Sequence, residues 1–158
     1  MKKLLTGIAL GALLALPVAA ADLGGRVINI GSDTTYPPHE FIEDGVVKGF
    51  DVDVVAEICK RINCQPNWIT TAWDGIFGAL ADGQFDMVVS GVTITEERDK
   101  IVDFSEPYIV VQQGVLMRVS DKNSTIDDFK NGSMRLASQT GTTNATLGEE
   151  LVGRANLA

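Results

Sequence analysis

From Arg26 to about Ile101 the chain alternates segments of period two with segments of helical period, and this alternation restricts the fold more than any other feature of its 158 residues. RVINIGS (residues 26–32) is a β-branched strand that runs into the turn-rich DTTYPPH (33–39). FIEDGVVKGF (41–50) places Asp44-Gly45 between two short apolar runs, the signature of a hairpin. From Asp51, a suitable N-cap, the period becomes helical, with Val54, Val55, Ile58 and Ile62 on one face and Glu57, Lys60 and Arg61 on the other. Residues 67–70 read as a short strand, 73–80 as a helix, 86–90 as a strand, and Glu96 to about Ile101 as a helix after GVTIT (91–95).

Strand, helix, strand, helix, strand at this spacing predicts right-handed crossovers and a largely parallel sheet, hence an α/β fold. Ligands of such sheets bind beyond the carboxyl ends of the strands. Residues 32–36, 70–73 and 90–98 are therefore expected to meet in one crevice. SEPY (105–108) breaks the pattern, and residues 109–119 are extended and apolar, with Gln112, Gln113 and Gly114 marking a crossing between two lobes. Residues 124–130 read as a short capped helix, 134–138 as a strand, 141–143 as a turn and 144–151 as a helix.

The compartment follows from the first 21 residues. Lys2 and Lys3 precede an apolar run from Leu4 to Leu16, then Pro17, Val18 and Ala19 to Ala21, the layout of a cleaved secretory signal peptide. The run is shorter than the roughly 20 apolar residues that span a bilayer core. No cysteine stands near the cleavage region to carry a lipid, so an exported, soluble protein is expected. Without Lys2 and Lys3 the balance is 11 basic to 21 acidic side chains, a net charge of −10 that repels nucleic-acid phosphates and anionic membrane surfaces. Cys59 and Cys64 enclose only KRIN, and in an oxidising compartment a disulfide between them is expected ahead of two buried thiols. With His39 as the lone histidine they do not make a four-ligand zinc set, and no metal is expected.

The crevice would hold the guanidinium of Arg98, the hydroxyls of Ser90 and Thr93, backbone around Gly91, the aromatic rings of Tyr36 and Trp73, and the carboxylate of Asp33. A guanidinium grips a planar carboxylate through two parallel hydrogen bonds, and nearby N–H and O–H groups saturate the remaining lone pairs. Aromatic faces sandwich an apolar stem or stack on a cation, and a carboxylate at the far end selects a polar or positive tip. Each residue also has a plainer role: Arg98 paired with Glu97 or Asp99, Trp73 and Tyr36 in the core, Asp33 capping its own turn. Glu40, Glu43, Asp44, Asp127 and Asp128 read as solvated faces and caps.

GSDTTYPPHEF, GFDVDVVAEICKRI, WDGIFGALADGQFDMVVSGVTITEERDKIVDFSEPY and SQTGTTNATL together resemble the polar amino-acid-binding proteins of bacterial ABC importers, solute-binding protein family 3. The resemblance runs from Val27 to Leu147 and is most specific at GFDVD, WDG and TITEERDKIVDFSEPY. It implies a periplasmic-binding-protein-like fold whose two α/β lobes, joined by hinge strands, close over an amino acid in the periplasm and deliver it to a membrane permease. Residues 22–111 would form a nearly complete first lobe, 112–116 the hinge crossing and 117–158 the beginning of a second lobe. Arg98 is similar to the arginine that holds the ligand carboxylate, with Ser90, Thr93 and Gly91 beside it; Tyr36 and Trp73 match the aromatic wall, Asp33 the residue that meets a polar side chain, and Thr143 a second-lobe contact. The cysteine pair resembles members that bind basic amino acids, whereas GVTIT resembles the glutamine-binding branch.

The same resemblance implies a monomer without catalytic residues or cofactor. The family's second lobe runs on well past the position of Ala158 and supplies an aspartate for the ligand ammonium, so a chain ending there is expected to bind weakly. His39 stands where the family usually has phenylalanine. A second reading on the same fold is an exported dehydratase of prephenate-like acids, for which His39 and Glu40 are the candidate acid–base groups.

Overall fold

The computed structural model describes residues 21–158, so the leader segment lies outside the described residues apart from Ala21. The parallel sheet is built on β1 (Arg26–Ser32). A small antiparallel sheet follows, made by β2 (Thr35–Tyr36), β3 (Glu40–Glu43) and β4 (Val46–Lys48) in that order. Asp44 and Gly45, at φ 53° and 77°, turn β3 into β4, as the Asp-Gly pair predicts. Helix α1 (Phe50–Ile62) leads to β5 (Cys64–Thr70), α2 (Ile76–Ala81) to β6 (Met87–Val88), and a single turn, α3 (Glu96–Asp99), ends the first unit. Strands β5 and β6 flank β1, both parallel to it, giving the predicted α/β arrangement.

Both faces of this sheet are covered, which is why its strands are apolar without clean alternation. Ile30, Val55, Cys59 and Val89 pack on the α1 side with Ile28, Cys64 and Trp68 around them. Trp73, Ile76 and Phe85 fill the α2 side against Ile69, Phe77, Leu80 and Val88. Cys59 and Cys64 are joined by a disulfide across the α1–β5 turn.

Several local expectations are corrected. Asp51 is not the N-cap of α1: Gly49 caps it, with φ 131° and no room for a Cβ against the carbonyl of His39. Asp51 lies inside the first turn and is fully buried. The inward face of α1 is shifted accordingly, with Val55 and Cys59 in the core and Ile58 about half exposed. Strand β5 begins at Cys64 rather than Asn67 because the whole of β1 pairs with it. Helix α2 begins only at Ile76, since residues 73–75 turn and Gly75 is left-handed. Strand β6 and helix α3 are shorter than the ranges 86–90 and 96–101 expected for them.

Residues 109–118 join no sheet among the described residues, and Val110 and Leu116 are 91% and 100% exposed. Helix α4 (Ile126–Lys130) carries a Thr125/Asp128 capping box, in keeping with the capped helix expected there. The strand expected at 134–138 reduces to one parallel bridge, Leu136 with Leu157. Helix α5 (Thr143–Val152) starts one residue early because Thr142 caps it, its hydroxyl accepting from the Ala145 N–H at 3.1 Å. No helix among the described residues is long and apolar enough to cross a membrane.

Candidate functional site

At the carboxyl end of β1 the chain is pinned by Ser32, whose carbonyl accepts from the Thr71 N–H at 2.9 Å, which draws residues 70–73 beside residues 32–36. Asp33 follows, its own N–H donating to Ser90 Oγ at 2.9 Å. That bond brings in the loop after β6, so the three segments expected to converge do so. Between them and the N-terminus of α5 lies a cavity of about 120 Å³. Asp33, Tyr36, Trp73, Ser90, Gly91, Thr93, Arg98 and Thr143 all line it.

Arg98 is held from two sides. One terminal nitrogen donates to the Thr93 carbonyl at 2.8 Å and the other to the Gly141 carbonyl at 3.1 Å, while the guanidinium carbon sits 5.2 Å from the Trp73 ring and 5.3 Å from the Phe77 ring. No carboxylate pairs with it among the described residues, so the Glu97 and Asp99 pairing is not realised. Burial lowers its pKa from the ordinary value, which for a guanidinium still leaves a full positive charge at neutral pH. Five N–H groups are present and two serve carbonyls, so donors remain for an anion.

Asp33 is buried and occupied rather than free. Its carboxylate accepts from Thr35 Oγ1 at 2.6 Å, the Trp73 N–H at 3.2 Å and Gln139 Nε2 at 3.1 Å. The turn-capping role and a place on the cavity wall are thus combined in one side chain. Ser90 Oγ, besides accepting from Asp33, donates to Glu40 Oε1 at 2.8 Å. The Gly91 N–H is given to Asp51 Oδ2 at 2.9 Å, so Gly91 borders the cavity without offering that donor. Trp73 is nearly buried, and Tyr36 is half exposed with its ring stacked on His39 at 5.0 Å. Thr143 Oγ1 lies 3.4 Å from Thr93 Oγ1 and accepts from Gln113 Nε2 at 3.2 Å.

Glu40 overturns its reading as a solvated carboxylate, for it is fully buried and lines the cavity. Burial pushes its pKa up to about 8, against the lowering by the Ser90 hydroxyl and with further raising by Asp51 and Asp33. Gln113, Gln139, Thr142 and Asn144 also line the cavity and were not singled out from sequence, although Gln113 belongs to the crossing and the others to SQTGTTNATL. The first turn of α5 presents the positive end of its dipole to the same space. The cavity therefore combines one free cation, a helix N-terminus, an aromatic wall and a carboxylate, a set matched to a small zwitterion.

The sequence profile of bacterial extracellular solute-binding proteins, family 3, matches residues 28–150. A probable histidine-binding protein of Neisseria gonorrhoeae is 39% identical over 107 residues, covering 67% of this chain and 40% of its own length. An ABC transporter arginine-binding protein of Escherichia coli is 35% identical over 144 residues, covering 90% of this chain and 56% of its own. The chain thus spans about half the length of the curated relatives it matches. An ancestral amino acid-binding protein described as a precursor of cyclohexadienyl dehydratase superposes with a TM-score of 0.78 at 36% identity, over 84% of this chain and 60% of that one.

Proposed function

The chain belongs to the bacterial extracellular solute-binding proteins of family 3, and from that premise we propose that it binds a free polar L-amino acid, basic or amide, as the extracytoplasmic component of an ABC importer. The observation that carries this reading is the Arg98 guanidinium, held by two carbonyls and two aromatic rings with no carboxylate among the described residues to neutralise it. The ligand α-carboxylate takes that charge. Thr93 and Thr143 contribute hydroxyls, Trp73 and Tyr36 flank the stem, and Asp33 meets a cationic or amide tip. The names of the relatives, histidine- and arginine-binding, support a basic ligand.

In this reading residues 22–111 are the first lobe, 112–116 the crossing and 117–158 part of a second. The Arg98 bond to Gly141, the Asp33 bond to Gln139 and the Thr93–Thr143 hydroxyl contact tie the first to the last. The leader directs the protein to the periplasm, where it acts as a monomer that presents the amino acid to a membrane permease. A thermal-shift screen of the chain against the twenty amino acids and ornithine tests the reading, since a ligand of the folded state alone raises the melting temperature. A rise with a basic or amide amino acid, lost in Arg98→Ala, is expected; no rise with any, or a rise unchanged in Arg98→Ala, contradicts it.

One observation favours the dehydratase alternative: Glu40, protonated up to about pH 8, faces the cavity as a general acid would. His39, its candidate partner, lines a different groove, behind Tyr36. With His39 outside the cavity, Glu40 lacks the partner that the dehydratase reading pairs with it, which makes binding the better-supported function. Turnover of a prephenate-like acid, abolished in Glu40→Gln, would reverse that order.

A further inference from the structure

Behind the Tyr36 ring three side chains converge that the amino-acid site does not use together. His39 ends the turn between β2 and β3, Glu40 opens β3, and Asp51 lies in the first turn of α1. They are held as a unit by the backbone: the Asp51 N–H donates to the His39 carbonyl at 3.0 Å and the His39 N–H to the Tyr36 carbonyl at 2.9 Å. All three side chains are at least nine-tenths buried. One ligating atom from each lies within 4.8 Å of the others.

Each carboxylate spends one oxygen on a protein donor and leaves the other without one. Glu40 Oε1 accepts from Ser90, and Asp51 Oδ2 accepts from the Gly91 N–H and from the Tyr108 hydroxyl at 2.9 Å. Glu40 Oε2, Asp51 Oδ1 and His39 Nδ1 are buried with no hydrogen-bond partner among the described residues. His39 Nδ1 stands 3.6 Å from Asp51 Oδ1, too far for a hydrogen bond. The imidazole is fixed in that attitude by stacking on Tyr36 and by an edge contact to Phe50.

Three unpartnered donor atoms in one buried place are costly unless something satisfies them. The described residues bring no lysine or arginine into an ion pair with Glu40 or Asp51. A divalent cation satisfies all three: it displaces the proton that Glu40 otherwise carries and balances the two carboxylate charges that result, with the imidazole donating its lone pair. Metal–ligand distances of about 2.0–2.2 Å place tetrahedral donors roughly 3.3–3.6 Å apart, the spacing of the His39–Asp51 pair. Carboxylates bonded through their second oxygen are the usual way a protein aims such ligands. One nitrogen and two oxygens suit a first-row transition cation, with zinc foremost; calcium needs six or more oxygens.

We propose that His39, Glu40 and Asp51 form a buried binding site for a divalent transition-metal cation, with a fourth position left to water. The site lies between two cavities: Glu40 borders the small one that holds Arg98, and His39 borders a groove of about 770 Å³ that would offer a cation its way in. The bound ion would brace Ser90 and Gly91 from behind. The proposal stands on the geometry of the cluster and not on the amino-acid reading.

The test uses the untagged chain, stripped with chelator and titrated with Zn2+ or Co2+. Zinc at a hundredfold excess over its dissociation constant is expected to raise the melting temperature by about 5–11 °C, and Co2+ to develop visible ligand-field absorption that Zn2+ abolishes. His39→Phe keeps the aromatic packing against Tyr36 and Phe50 while removing the nitrogen, so it should fold and bind at least about tenfold more weakly. Glu40→Gln, which keeps the side-chain volume, is the second variant and should behave likewise. A wild-type chain that neither shifts nor colours, or a shift that survives in both variants, overturns the site and leaves a proton shared between the carboxyls as what satisfies them.

Discussion

A methyl group added at Gly31 measures how tightly the α2 face of the parallel sheet is packed. Gly31 lies on the central strand β1, opposite Ile69 of β5 and Val88 of β6. A Cβ there would stand 2.6–2.8 Å from three atoms of the Phe85 ring, against about 3.5–4.0 Å for ordinary carbon contacts. The ring packs in one buried cluster with Trp73 and Ile76, so any shift away from the new methyl disturbs them. Overpacking of this kind costs about 1–3 kcal/mol, and the smaller entropy of an unfolded alanine returns about 0.4–1 kcal/mol. At the middle of these ranges Gly31→Ala should therefore lose about 1.3 kcal/mol and lower the melting temperature by roughly 3–5 °C. Urea unfolding followed by the fluorescence of Trp68 and Trp73 reads the loss. Phe85→Leu in the same chain should relieve the clash, leaving a coupling of about 0.5–3 kcal/mol between the two sites. A neutral Gly31→Ala, or strictly additive effects, would refute the packing argument.

Asp33→Asn keeps the shape but removes the charge that three donors share, and a bond from a charged acceptor is worth about 1.5–3 kcal/mol. It should destabilise the chain by about that order in urea titration, and it should weaken a cationic amino acid more than glutamine in calorimetry. Arg98→Ala removes the carboxylate's partner and should cost about 2–5 kcal/mol of binding for every amino acid alike. The disulfide closes a loop with a sequence separation of 5, for which loop entropy assigns about 2 kcal/mol. Replacing both Cys59 and Cys64 by alanine should lower the melting temperature by roughly 4–8 °C, and reductant should do the same to the wild type but not to the variant.

Much of the site was legible because its parts are punctuation. Ser32 and Asp33 end a strand, Ser90 and Gly91 end another, and Arg98 follows within a turn of helix, so a parallel sheet brings them together whatever its details. What stayed hidden depends on distant chain. Asp51 resembles a cap by residue type, yet its carboxylate is claimed by the Gly91 N–H and the Tyr108 hydroxyl, 40 and 57 positions away. Glu40 sits in a polar stretch and reads as solvated until the hairpin folds it onto Ser90. The run at 109–119 reads as extended and apolar, but whether an extended run pairs in a sheet depends on a neighbour, about which local composition carries no information. Gln139 was missed for a related reason: its bond to Asp33 spans 106 positions, and nothing near it signals the contact.

In the proposed site Arg98 takes the α-carboxylate of an amino acid in the cavity between β1, β6 and α5. Isothermal titration of the full chain with L-arginine and with agmatine, which differs only by the missing carboxylate, tests it most directly. Heat of binding is expected with L-arginine and should vanish with agmatine and in Arg98→Ala. Equal binding of both compounds, or binding of L-arginine undiminished in Arg98→Ala, would contradict it.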